Sequence, residues 1–213
     1  MIVSHRLKFV FLGVPRTASR AMHVALKRLP GARQPWGGLH RMTIPPQAQD
    51  YFTFCCVRNP YPRLYSHYCC CWGQRRRWWA GRVRVRSFAE YLDVLAAGSL
   101  GGSCGSKYRS TVRGYTGENR LDATVRYEDL ADGDLPAALA GLAKRASIPA
   151  LAELSLPRRG CCLASDWAGQ YDERLADRVF EIARADFEEF GYDPESWRAA
   201  NVAAIAPGVF TGD

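Results

Sequence analysis

The chain has no Gly-x-x-x-x-Gly-Lys-Ser/Thr and no Gly-x-Gly-x-x-Gly, so the loops that cradle Mg-nucleotide and dinucleotide phosphates are missing and a Mg-dependent nucleotide kinase is disfavoured. None of its 8 cysteines stands in C-x-x-C spacing, which argues against a zinc set. They come as Cys55-Cys56, Cys69-Cys70-Cys71, Cys104 and Cys161-Cys162, and they read as small buried hydrophobes in a reducing compartment. No apolar run approaches the roughly 20 residues of a membrane span. No repeat, low-complexity tract or long Pro/Gly/Ser linker marks a domain boundary, so residues 1–213 are expected to form a single domain. Histidine is scarce, with 4 in the chain, which leaves few candidates for a general base.

What is present is positive charge and apolar mass. With 213 residues and 47% hydrophobic content the chain is long enough to bury a full core, and its net charge of +8 implies anionic partners. The densest basic patch is Arg75-Arg76-Arg77-Trp78-Trp79, with Arg82, Arg84 and Arg86 behind it. Basic residues beside aromatics suit single-stranded nucleic acid, an acidic glycan, a lipid headgroup or an adenine, and equally a solvated loop with its tryptophans turned inward. The patch leads into Ser87-Phe88-Ala89-Glu90, a capping box that opens a helix to about Ala97.

Two strand-to-helix turns carry the chemistry. The apolar, β-branched and aromatic run Leu7 to Val14 reads as a central strand entering Pro15-Arg16-Thr17-Ala18-Ser19-Arg20, and from Ala21 the residues Met22, Ala25, Leu26 and Leu29 keep helical spacing. Backbone amides at such a helix start point at an anion. The second run, Phe54 to Val57, reads as a buried strand that delivers Arg58 into Asn59-Pro60, a helix cap and a first-turn proline, with Ser66 about two turns on. A guanidinium, a hydroxyl and a nearby helix suit a phosphate; an arginine that merely pairs with a carboxylate is the competing reading.

Together these residues resemble the sulfotransferases that use 3′-phosphoadenosine 5′-phosphosulfate (PAPS). Val57-Arg58-Asn59-Pro60-Tyr61-Pro62-Arg63-Leu64-Tyr65-Ser66 matches their second motif nearly in full, whereas the first motif departs from pattern at Ala18, where glycine is usual, and at Arg20. Ala18 tolerates close backbone approach if its φ is negative. Val125-Arg126-Tyr127-Glu128-Asp129-Leu130 and the segment from Tyr171 to Tyr192 resemble later elements of the same family and read as fold markers, with Gly191 as a helix C-cap. The resemblance implies an α/β, P-loop-like three-layer fold with a central, mostly parallel sheet flanked by helices.

It further implies that Arg16, Thr17, Ala18, Ser19 and Arg20 hold the 5′-phosphosulfate, that Arg58 and Ser66 hold the 3′-phosphate, and that Arg158 and Arg159 of Arg158-Arg159-Gly160 add a clamp. His40, in the loop before the second motif's strand, matches the general base of carbohydrate-acting relatives; His5 ahead of the first strand, His23 and His67 are the other histidines. The expected activity is in-line sulfuryl transfer from PAPS, as co-substrate and without a metal, to a hydroxyl or amine acceptor, with carbohydrate among the candidates and Arg16 and His40 as catalytic residues. Membrane-anchored relatives carry a span that this chain lacks, so a cytoplasmic location is expected. The alternative is a nucleic-acid or anionic-ligand binding protein on the same fold without transferase activity.

Overall fold

The computed structural model describes residues 1–35, 43–71, 85–98, 111–131, 134–157 and 167–198. Five strands form one sheet in the order β3-β1-β2-β4-β5. They are β1 (Ile2–Ser4), β2 (Phe9–Leu12), β3 (Ala32–Arg33), β4 (Phe52–Val57) and β5 (Ala123–Arg126). β2, β4 and β5 run parallel, β1 is antiparallel to β2, and β3 is antiparallel to β1, so β1 alone points the other way. The sheet therefore begins earlier than the sequence reading places it, and His5 follows the first strand instead of preceding it. β1 and β3 span three and two residues, too short for a period-2 pattern to declare itself.

Strand alternation divides the core into two layers. Phe9, Phe11, Phe54, Cys56, Ala123 and Val125 face α1 (Ser19–Leu26) and a later helix, Leu135–Ala146. Val10, Leu12, Cys55 and Val57 face the opposite way, onto α2 (Pro60–Cys71), α3 (Phe88–Ala96), α4 (Val112–Thr116) and the long closing helix Glu173–Phe190. With α5 (Tyr127–Ala131) following β5, Leu135–Ala146 is α6 and Glu173–Phe190 is α7. Helices thus cover both faces of the sheet, the α/β three-layer arrangement expected. Among the described residues no helix is long and apolar enough to cross a membrane.

Local chemistry explains the helix ends. Ser87 Oγ accepts from the Glu90 amide at 3.1 Å, while Glu90 Oε2 accepts from the Arg86 amide at 2.7 Å, one residue earlier than in the usual box. Gly191 closes α7 in the left-handed conformation at φ 63. Within this second layer α2 and α7 are bolted together by a buried ion pair, Arg63 Nη2 to Asp186 Oδ2 at 2.8 Å, and the other Asp186 oxygen accepts from the Val112 amide at 2.8 Å. Burial pushes the Asp186 carboxyl above its ordinary range, opposed by the Arg63 charge and the Val112 amide.

Candidate functional site

β2 and β4 are parallel neighbours, so both turns leave the sheet at its carboxyl edge, where ligands of open α/β sheets bind. In the first turn Arg16 and Ala18 both take positive φ, 69 and 60. The negative φ that would make alanine an easy substitute for glycine at position 18 is not what the turn uses: it requires the left-handed conformation, which explains why glycine suits that place. Thr17 is fully buried and its hydroxyl donates to the Val14 carbonyl at 2.9 Å, so the side chain locks the turn from inside. α1 starts at Ser19, two residues before the apolar spacing announces it, and has no side-chain cap. Its first amides lack intrahelical acceptors and face the end of the sheet with the positive pole of the helix. Ser19 is buried and Arg20 is exposed.

The second turn is built differently. Asn59 Oδ1 accepts from the Tyr61 amide at 3.0 Å, as expected of a cap. The Asn59 amide donates to Glu128 Oε1 at 2.9 Å, and Asn59 Nδ2 donates to Ser196 Oγ at 2.8 Å. The start of α2 is therefore already occupied and carries a carboxylate, so the helix expected to help bind an anion here is α1 instead. What the second turn contributes is side chains. Arg58 Nη1 donates to the Arg16 carbonyl at 3.3 Å, and Ser66 Oγ accepts from Arg16 Nε at 2.9 Å and from Arg16 Nη2 at 2.6 Å. Arg16, Arg58 and Ser66 thus meet beside the uncapped start of α1. Two guanidinium groups and a hydroxyl gathered beside a helix N-terminus are chemistry for a phosphate or sulfate ester.

The remaining candidates separate. His67 is buried and its Nδ1 is 2.6 Å from Tyr91 Oη, within the aromatic core between α2 and α3. His5 Nδ1 lies 3.0 Å from Tyr51 Oη, at the amino edge of the sheet away from the turns. His23 sits on α1. His40, Arg158, Arg159 and the Arg75 to Trp79 patch lie outside the described residues. Among the described residues no cluster of histidine, cysteine and carboxylate side chains could hold a metal ion. An open cleft of about 880 Å³ at the start of α7 is lined by Asp93, Asp172, Glu173 and Asp177 with Arg174 and Arg178, the wrong balance of charge for a bisphosphate.

Sequence reasoning set aside the Arg126-Tyr127-Glu128 run as a fold marker, yet it touches the site. Arg126 Nη2 donates to the Phe190 carbonyl at 2.7 Å, the Tyr127 ring lies 4.0 Å from the Arg58 guanidinium carbon, and Glu128 Oε2 accepts from Tyr192 Oη at 3.2 Å. Burial, with the Glu128 charge, pushes the Tyr192 phenol well above its ordinary range, so it stays a donor.

The model of the sulfotransferase family matches residues 1–132, a stretch that contains both turns and the Arg126 to Leu130 element. No curated protein and no solved structure shows a significant match. With more than half of its 213 residues inside the match and with strands and helices arranged as described, the chain belongs to the sulfotransferase family.

Proposed function

We propose that the chain moves the sulfuryl group of PAPS to a hydroxyl or amine acceptor. The observation that carries this reading is the meeting of Arg16, Arg58 and Ser66 beside the uncapped start of α1. That arrangement suits a ligand with anionic groups at two ends: the amides of α1 and the Arg16 turn for one, Arg58 and Ser66 for the other. PAPS supplies an activated sulfur, whose bond to the bridging phosphate oxygen breaks as the acceptor atom bonds to it.

In this reading the protein aligns donor and acceptor and stabilises charge. The Arg16 guanidinium and the first amides of α1 offset negative charge on the leaving oxygen. Arg58 and Ser66 hold the 3′-phosphate, the feature that separates PAPS from ATP. His40 takes the acceptor's proton, which leaves adenosine 3′,5′-bisphosphate and a sulfated product. Thr17 acts through the turn that it locks from within.

Incubation with sulfur-35-labelled PAPS and a panel of sugar, phenol and amine acceptors tests the proposal. Labelled product is expected from the wild type, reduced about 10²-fold or more in Arg16→Ala and in His40→Ala. Binding of adenosine 3′,5′-bisphosphate without transfer to any acceptor class would favour a binding protein on the same fold.

A further inference from the structure

Net charge is concentrated at one end of the chain. Eight of the 29 Lys and Arg residues and none of the 21 carboxylates fall in residues 1–49, so that stretch carries the whole net charge of +8 and the remainder is balanced. Arg16 and Arg20 belong to the first turn, and Arg41 lies outside the described residues. The other five, Arg6, Lys8, Lys27, Arg28 and Arg33, are exposed and gather toward the opposite, amino edge of the sheet. Register puts them there: Ala32, Ser4, Phe9 and Phe52 form one row across β3, β1, β2 and β4 at this edge. The turn between β1 and β2 and the turn from α1 into β3 are therefore neighbours. Ser4 Oγ ties them together, donating to the Pro30 carbonyl at 2.8 Å and accepting from the Leu7 amide at 3.0 Å. Gly31, at φ 70, lies so close that a Cβ there would come within 2.8 Å of Arg6 Cβ.

Lys27 and Arg28 sit where cations offset a helix dipole, which accounts for them without a partner. Nothing comparable accounts for Arg6 and Lys8 in a separate turn, where Lys8 holds a left-handed φ of 55. Among the described residues none of the five cations forms an ion pair. Of the two carboxylates that precede β4 and β5 on this edge, Asp50 and Asp122, the latter is taken by Arg120 and the Thr53 amide. We propose that this edge docks on an anionic bilayer surface, with Arg6, Lys8, Lys27 and Arg28 over the lipid headgroups. Turns projecting from one edge of a sheet meet a plane together, and each Lys or Arg near an anionic membrane adds attraction. Half-buried Leu7 and exposed Pro30 place apolar atoms among the cations, which the headgroup region accepts. Single-stranded nucleic acid fits less well, because it stacks on a free ring face. Tyr51, the ring beside Lys8, has that ammonium 4.7 Å from its centroid and the His5 ring in T-shaped contact. The Arg16 and Arg58 turns lie at the other end of β2 and β4, so a docked chain holds them toward water, whatever nucleotide they take.

The test is cosedimentation of the full chain with vesicles of equal parts phosphatidylserine and phosphatidylcholine, and with vesicles of phosphatidylcholine alone. Binding to the mixed vesicles is expected, weakening as salt rises, with none to the neutral ones. Lys27→Gln with Arg28→Gln should weaken it about tenfold or more, and Arg6→Gln with Lys8→Gln likewise. Arg6→Lys with Arg28→Lys, which keeps the charge, should stay within about twofold of the wild type. Arg174→Gln with Arg184→Gln removes the same charge from exposed positions on α7 and should also change binding less than about twofold. An equal loss in the α7 pair would mean diffuse attraction by net charge and overturns the inference. So does unchanged binding in either glutamine pair of the turns, loss in the charge-keeping pair, or binding to neutral vesicles as tight as to anionic ones. Tighter binding of a single-stranded oligonucleotide through the same four residues would transfer the surface to nucleic acid. If the vesicles discriminate while adenosine 3′,5′-bisphosphate does not bind at all, the proposed transferase reading fails alone and the docking surface stands.

Discussion

Arg16 donates through both Nε and Nη2 to the single hydroxyl oxygen of Ser66, a residue 50 positions later in the chain and almost fully buried on α2. Two turns that read as separate phosphate sites are in this way one structure. Losses of affinity for adenosine 3′,5′-bisphosphate should therefore not add. If Arg16→Ala and Ser66→Ala each weaken binding about tenfold, the double variant should lose no more than about twofold beyond Arg16→Ala, because residues in one hydrogen-bond network couple. Additive losses, measured by calorimetry, would separate the two turns again.

Ala18 holds a left-handed φ of 60 with a Cβ attached. Ala18→Gly is expected to raise unfolding free energy by about 0.5–1 kcal/mol, since relief of the clash outweighs the added freedom of the unfolded chain. Ala18→Val should lower stability by more than about 1 kcal/mol, because a β-branched side chain fits that region worst. Urea denaturation of the three proteins decides the matter; a destabilised glycine variant would mean that the turn is not strained.

Arg63 and Asp186 pair in the core. Arg63→Met leaves a buried carboxylate without its counter-charge and is expected to cost about 3–5 kcal/mol at neutral pH. Burial already lifts the Asp186 carboxyl above the ordinary carboxylate range and Arg63 opposes that lift, so the variant raises it further. A carboxyl with a raised folded value binds a proton more tightly in the folded chain than in the unfolded one. Its stabilising contribution is complete below the unfolded value and is lost as pH rises through the folded one. Arg63→Met should therefore regain stability between pH 7 and 5, and Arg63→Met with Asp186→Asn should remove that dependence. A pH-independent loss in the single variant would contradict the pairing.

Cys55 and Cys56 lie in the two layers of the core, and burial pushes the Cys56 thiol up to about 12 and the Cys55 thiol well above its usual value. Iodoacetamide at pH 8 is expected to label the half-buried Cys69 and Cys70 in the native protein and to spare Cys55 and Cys56 until the chain unfolds. Peptide mass spectrometry reads the outcome directly. Native labelling of Cys56 would mean that β4 opens.

The parts legible in the sequence were those with a local signal. The β2 to α1 and β4 to α2 turns, the Ser87 box and the Gly191 cap each depend on residues within a few positions of one another. Contacts across 69 residues in Asn59 and Glu128, or 123 in Arg63 and Asp186, have no such signal. Register decides them, and register belongs to the sheet. The same distinction governs the site. Arg16, Arg58 and Ser66 were readable as motif positions, but the capped start of α2, the inward hydroxyl of Thr17 and the ring under Arg58 required the packed chain. The left-handed Ala18 was half-readable: glycine's usual presence there marks the conformation, while alanine conceals it.

The central claim is that Arg16, Arg58 and Ser66 form one site for a nucleotide phosphorylated at both its 3′ and 5′ positions. Comparing adenosine 3′,5′-bisphosphate with adenosine 5′-monophosphate on wild type and Arg58→Ala by calorimetry tests it most directly. The account predicts that the wild type prefers the bisphosphate by about 100-fold, as two charge-assisted hydrogen bonds would supply. Arg58→Ala should cut that preference at least tenfold and leave the monophosphate affinity unchanged. Equal affinity of the wild type for the two nucleotides, or an undiminished preference in Arg58→Ala, would contradict it.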